Sequence, residues 1–311
     1  MFVIKDVQGQ NEDGTENPYA NRRIPIIAFL WSLFLPSLGQ IYNGQFNKGL
    51  FFFGLQLITF YIFGLTGLTT FFYGLIIGLI IEVSLRIYII IDGVKNAKRQ
   101  KKYELKNYNK WYYYLFIAAL IICSYNVFDA KAVLGLKTFD IPSATNNPTF
   151  QKGDYLVADM RAYNNHLPEY GDIVVYMGVD GQYYIHRVVG LPDDTLDINN
   201  DVVTINGKQS KETFIKETKT QEANVSEFEE ELPNGHKHRI YKFKEHFDST
   251  KAYIKNIIVP DNNYYLLGDN RDYVMDSRYI GAIFKDRIYG KILYSYWGKS
   301  IDRINIDFRD K

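Results

Sequence analysis

The sequence predicts a mainly β protein, an antiparallel β barrel or sandwich with an inserted β subdomain, preceded by an α-helical transmembrane region. Two observations carry that prediction. From Ile24 to Phe128 the chain is dominated by Leu, Ile, Phe, Tyr and Gly, whereas Asp140 to Lys311 has the composition of an ordinary soluble domain. Within the second part, short β-branched or aromatic runs follow one another with turn sequences and no amphipathic helices between them, the pattern of an antiparallel sheet. A chain of 311 residues can bury such a core without metals or disulfides.

Charge is balanced, with 36 basic and 35 acidic side chains, which argues against a nucleic-acid partner for the whole molecule. The single Cys123 lies in an apolar run, so no intrachain disulfide is possible. Four apolar segments stand out: Ile24 to Tyr42, Gly49 to Leu65, Thr70 to Asp92 and Trp111 to Phe128. Crossing a bilayer core takes roughly 20 apolar residues. The first segment is interrupted by Pro36, Gly39 and Gln40 and is expected to lie at the interface or re-enter. The third contains Glu82 and Arg86, four apart and able to pair on a helix. Such a pair reads either as a structural ion pair near a helix end or as an ion path, the latter the mark of a transporter, for which three spans are few.

Orientation follows from the basic residues. Lys95, Lys98, Arg99, Lys101, Lys102, Lys106 and Lys110 face only Glu104 between the third and fourth segments, which marks that loop as cytoplasmic and everything after Phe128 as external. Arg22 and Arg23 make the N-terminus cytoplasmic, so three spans satisfy both constraints. The expected organisation is a cytoplasmic N-terminus (1–23), a multi-span membrane module (24–93), a basic cytoplasmic loop (94–110), a transmembrane anchor (111–128) and an external domain (129–311) with an insertion at 209–256. A polar Met1 to Asn21 gives no reason to expect a cleaved secretory leader.

In the external part the strand runs are Tyr155 to Ala158, Asp172 to Tyr176, Tyr183 to Val189 and Val202 to Ile205. Lys152-Gly153-Asp154, Tyr170-Gly171-Asp172, Val179-Asp180-Gly181 and Asn206-Gly207 mark the turns. From Gln209 to Asn256 the chain becomes highly charged before strand signals return at Ile257 and at Tyr264 to Leu267, the mark of an inserted subdomain or flap. His236 and His238 can share one strand face as metal ligands or as a solvated strand; no further ligand cluster lies near, and no metal is expected.

Several boxes have a recognisable order. Ile141-Pro142-Ser143-Ala144-Thr145-Asn146-Asn147-Pro148-Thr149-Phe150, with Lys152-Gly153-Asp154 after it, resembles the Pro-Ser-Gly-Ser-Met-x-Pro-Thr-Leu box of bacterial type I signal peptidases, the S26 family. Tyr170-Gly171-Asp172-Ile173-Val174-Val175 resembles that family's Arg-Gly-Asp-Ile-Val-Val. Tyr184-Ile185-His186-Arg187-Val188-Val189-Gly190-Leu191-Pro192 resembles Tyr-Ile-Lys-Arg-Val-Val-Gly-Leu-Pro, and Ile205-Asn206-Gly207-Lys208 follows at the expected remove. Leu267-Gly268-Asp269-Asn270-Arg271 with Asp276-Ser277-Arg278 resembles Gly-Asp-Asn-Arg-x-x-Ser-x-Asp-Ser-Arg. The resemblance covers the external domain and its anchor. Separately, Leu35 to Gln45 is similar to the Pro-Gly-x-Gly-Gln-x-Tyr pattern of small multi-span modules found ahead of some signal peptidases, and carries no chemistry.

The resemblance implies a membrane-bound endopeptidase of the bacterial cytoplasmic membrane, with its catalytic domain on the extracytoplasmic side, that trims signal peptides from exported preproteins. It implies partners in those peptides and in membrane lipids, no cofactor, and a hydroxyl nucleophile with a neutral lysine as base. This chain departs at three positions: Thr145 stands at the nucleophilic serine, His186 at the lysine and Val274 at the serine that holds the lysine amine. In one reading the chemistry is rewired. A histidine with an ordinary pKa near 6.5 needs no burial to be neutral, so His186 deprotonates Thr145 and Asp276 assists. Ser143 and the Thr145 N–H then form the oxyanion site, and Asp269, Arg271, Ser277 and Arg278 are the framework. In the other reading hydrolysis is lost and the domain binds signal peptides or envelope partners. Ser143 as a shifted nucleophile is a third possibility.

Overall fold

The computed structural model describes residues 23–100, 107–127, 134–221, 223–244 and 253–309. The expected N-terminal segment up to residue 22, part of the basic loop and the start of the external domain lie outside the described residues. The chain divides into two compact units, Met1–Thr69 with Tyr73–Leu134, and Thr70–Phe72 with Gly135–Lys311.

In the first unit the segment from Ile24 to Tyr42 is two short helices, α1 (Pro25–Phe34) and α2 (Leu38–Tyr42), broken at Leu35, Pro36 and Ser37. Ten residues rise only about 15 Å, so α1 is too short to cross a bilayer core. Gly39 is required at its position, because a Cβ there would lie 2.0 Å from Ser32 Oγ. Helices α3 (Phe46–Leu65) and α4 (Phe72–Arg99) are long and apolar enough to cross a membrane. Helix α5 (Trp111–Val127) is shorter. Helix α4 continues to Arg99, so Lys95, Lys98 and Arg99 extend the helix rather than opening a loop. The expected pairing of Glu82 with Arg86 is not formed: Thr59 Oγ1 donates to Glu82 at 2.5 Å, and Arg86 donates to the Leu33 carbonyl at 2.9 Å. Polar side chains from α2, from the turn after it and from the start of α3 bond to α4 instead. Gln40 donates to the Ile89 carbonyl, Asn43 to the Gly93 carbonyl, and Lys48 pairs with Asp92 at 2.7 Å.

The second unit is mainly antiparallel. Strands β1 (Leu136–Asp140), β2 (Tyr155–Asp159), β3 (Ile173–Met177), β4 (Tyr183–Gly190), β12 (Asn263–Leu267), β13 (Ile283–Phe284) and β14 (Ile288–Trp297) form a seven-stranded sheet in the order β1-β2-β14-β3-β4-β12-β13. A four-stranded sheet joins β5 (Thr195–Asn199), β6 (Val202–Ile205), β7 (Lys208–Gln209) and β11 (Tyr253–Ile258). The charged insertion folds as a separate three-stranded sheet of β8 (Lys211–Lys219), β9 (Asn224–Glu231) and β10 (Lys237–Phe243). The expected barrel does not close among the described residues, since β1 and β13 remain edges of an open sheet. Strand β3 is a continuous apolar run because it is covered on both faces. Val175 packs with Phe150, Leu156 and Ile292 on one side, while Val174 and Tyr176 pack with Val188, Tyr264 and Leu266 on the other.

Candidate active site

The loop from Ile141 to Phe150 leaves β1 and is fastened beside Thr145 at both neighbours. Asn146 Nδ2 donates to the Ile185 carbonyl at 2.8 Å, and Asn270 Nδ2 donates to the Ala144 carbonyl at 2.9 Å. The Asn270 N–H also reaches the Thr145 carbonyl at 3.2 Å. Thr145 is thereby tied to the residue before His186 and to the residue after Asp269, which brings the 145, 186 and 269 boxes into one place. Neither asparagine is a proton-handling residue; the signal that would have found them is their position beside Thr145 and Asp269.

Thr145 and Ser143 are half-buried, with their hydroxyl oxygens 3.1 Å apart. The Thr145 N–H makes no hydrogen bond among the described residues. His186 is buried on β4 and its Nδ1 lies 3.1 Å from Tyr176 Oη. No hydrogen bond joins it to Thr145. Burial pushes the His186 imidazole down to about 4, against the upward pull of the Asp276 and Asp269 charges, and Arg278 adds to the fall. The ring is therefore neutral at physiological pH, and a weaker base than an exposed histidine.

Asp276, expected to assist His186, is held elsewhere. It caps α6 (Ser277–Ile280), and its carboxylate accepts from the Arg278 N–H, from Arg278 Nε at 2.9 Å, from Arg278 Nη2 at 2.8 Å and from the Gly268 N–H at 3.1 Å. No hydrogen bond joins it to His186, so its influence there is through space. Val274 offers no hydroxyl; its methyls pack so closely on Gly268 that a Cβ at 268 would lie 2.6 Å from one of them.

Charged pairs surround these groups. Arg187 grips Asp269 through two hydrogen bonds, 2.9 Å from Nε and 2.7 Å from Nη2, and Thr149 adds a third. Burial alone would raise the Asp269 carboxyl, but the charge and hydrogen bonds of Arg187 hold it below the usual carboxylate range. Arg271 pairs with Glu230 of the insertion, and Arg278 pairs with Asp201 at 2.6 Å as well as with Asp276. Ser277 Oγ accepts the Leu266 N–H at 3.0 Å and so pins α6 to β12. Glu230 and Asp201 escaped the sequence because each sits in a polar stretch that reads as surface. His236 and His238 belong to the same network and not to a solvated strand. His238 is buried 3.0 Å from Glu230, and His236 Nε2 lies 3.3 Å from Arg187.

The family model described as signal peptidase, peptidase S26, matches residues 108–297. Signal peptidase IB of Staphylococcus aureus strain MRSA252 is 27% identical over 169 residues, covering 54% of this chain and 82% of that protein. Signal peptidase I V of Bacillus subtilis strain 168 is 31% identical over 154 residues, covering 50% and 82%. A crystal structure of a signal peptidase I from Enterococcus faecalis V583 is 23% identical, with a TM-score of 0.25 and coverage of 40% of this chain and 97% of that one.

Proposed function

We propose, from the premise that this chain belongs to the signal peptidase family, peptidase S26, that it is an endopeptidase that removes signal peptides from exported proteins. Thr145 Oγ1 is the nucleophile and His186 the base. Ser143 Oγ and the Thr145 N–H stabilise the oxyanion, and Asp276 contributes its charge through space. The observation that carries the assignment is the double fastening of Thr145, through Asn146 to Ile185 and through Asn270 to Ala144. It holds one hydroxyl beside the strand that presents His186. A neutral imidazole removes the need for the hydroxyl that steadies a lysine amine, which fits Val274 at that position.

The domain after residue 128 works on the extracytoplasmic side of the bacterial cytoplasmic membrane, with the module of residues 24–93 and the anchor of 111–128 in the bilayer. Lipids and the apolar signal segment are then its neighbours. The deciding experiment incubates the purified full-length protein with a precursor carrying an Ala-x-Ala site. Cleavage at that site that disappears in Thr145→Ala is expected; an intact precursor in the wild-type reaction would defeat the proposal.

A further inference from the structure

Strands β3 and β4 pair so that Val174 lies opposite His186 and Tyr176 opposite Tyr184. Residues 174, 176, 184 and 186 share one face, and Tyr176 and His186 are diagonal neighbours, a separation that long and aromatic side chains bridge. The phenol oxygen stands 3.1 Å from Nδ1, and the ring centroids are 5.5 Å apart. Both groups are shielded from water, Tyr176 at 0% and His186 at 3% exposure, and Tyr176 lies in the apolar cluster of Val174, Val188, Tyr264 and Leu266.

A neutral imidazole has one donor and one acceptor nitrogen, and the partner of one decides the role of the other. The Tyr176 hydroxyl makes no other hydrogen bond among the described residues, so the acceptor for its O–H is Nδ1. The proton of the imidazole then sits on Nε2. The reverse arrangement, Nδ1–H donating to the phenol oxygen, strands the phenolic hydrogen among apolar side chains. An unmade buried hydrogen bond of that kind corresponds to a preference of roughly 5- to 150-fold.

We propose that Tyr176 is a positioning residue that sets the tautomer of His186, holding the resting enzyme with its proton on Nε2. This rests on the reading of His186 as the base. To accept the Thr145 proton, Nε2 must offer its lone pair, so the phenol hydroxyl must turn away and water must take the proton from Nε2 and return one to Nδ1. Nε2 then takes the Thr145 proton, the freed Oγ1 electron pair bonds to the scissile carbonyl carbon, and the imidazolium later protonates the departing amine. The hydroxyl that touches the base comes from β3 and not from position 274. It restrains the base where a hydroxyl at 274 would steady a lysine.

Full-length protein in detergent micelles, labelled with ¹⁵N-histidine, tests this directly. Long-range ¹H–¹⁵N correlation spectra above pH 7 distinguish the two tautomers, and His186→Asn identifies the His186 signals. The expected result is a protonated Nε2 in the wild type, a mixture of tautomers in Tyr176→Phe, and a higher kcat in that variant, by up to the same 5- to 150-fold, with little change in KM. A wild-type His186 protonated on Nδ1 would overturn the proposal, and the wild-type spectrum decides it even if the variant fails to fold. If neither protein cleaves a precursor but the spectra follow the expected pattern, the tautomer assignment stands and the base assignment falls.

Discussion

Arg187, Arg271 and Arg278 are each no more than 5% exposed, and each meets a buried carboxylate from another part of the chain: Asp269, Glu230 and Asp201. A few residues away, Thr145 is half-buried and touches another hydroxyl, and His186 has one neutral partner. The three arginines belong to a set of interlocked buried charges, whereas the proposed reacting groups are uncharged and sparsely bonded. Exchanging a framework residue leaves its partner charged and unpaired away from water, which costs about 3–5 kcal/mol. Exchanging Thr145 or His186 for a neutral residue of similar size leaves no charge unpaired, only a neutral hydrogen bond unmade.

The largest effect expected from this contrast is on stability. Asp269→Ala removes the two hydrogen bonds that Arg187 donates to that carboxylate and should cost about 3–5 kcal/mol, read from the denaturant midpoint of the purified protein; a loss below about 1 kcal/mol would break the contrast. Next come the reacting groups. Thr145→Ala and His186→Ala should each lower cleavage by about 10²–10⁴-fold, and the half-buried Thr145 should do so with a far smaller shift in the unfolding midpoint. Activity that survives both substitutions would transfer the nucleophile to Ser143.

Acid should separate the two regions further. His186 titrates near 4 in the folded protein and near 6.5 when unfolded, so between those values the unfolded chain binds more protons. Its contribution to stability is complete above pH 6.5 and is lost as pH falls toward 4, a total of roughly 3 kcal/mol. Stability measured at pH 4.5 against pH 7 should fall in the wild type and fall less in His186→Asn. Cleavage by the free enzyme should be flat above about pH 5; a rate that climbs through pH 6.5 would mean an unburied imidazole. The smallest effect is expected from Thr145→Ser, which removes a methyl that stiffens χ1. Turnover should stay equal or rise by up to about tenfold, some 1.4 kcal/mol, in a single-turnover assay.

The apolar N-terminal helices and the antiparallel strands after them were legible in the sequence. They depend on local patterns: apolar runs, period-two alternation, turn residues and ordered boxes. Even the shared face of Tyr176 and His186 is half-written there, since both lie at even positions in facing strands. What turns that parity into a contact is the register Val174↔His186 across the hairpin, and a shift of one residue would send His186 to the other face. Tertiary structure alone decided that Asp276 serves Arg278, that Glu82 is met by Thr59, and that Glu230 and His238 of a charged insertion are buried against the framework. Buried charges choose their partners by what the folded chain brings within a few ångströms after desolvation, and a carboxylate in a sequence carries no mark of which cation will reach it.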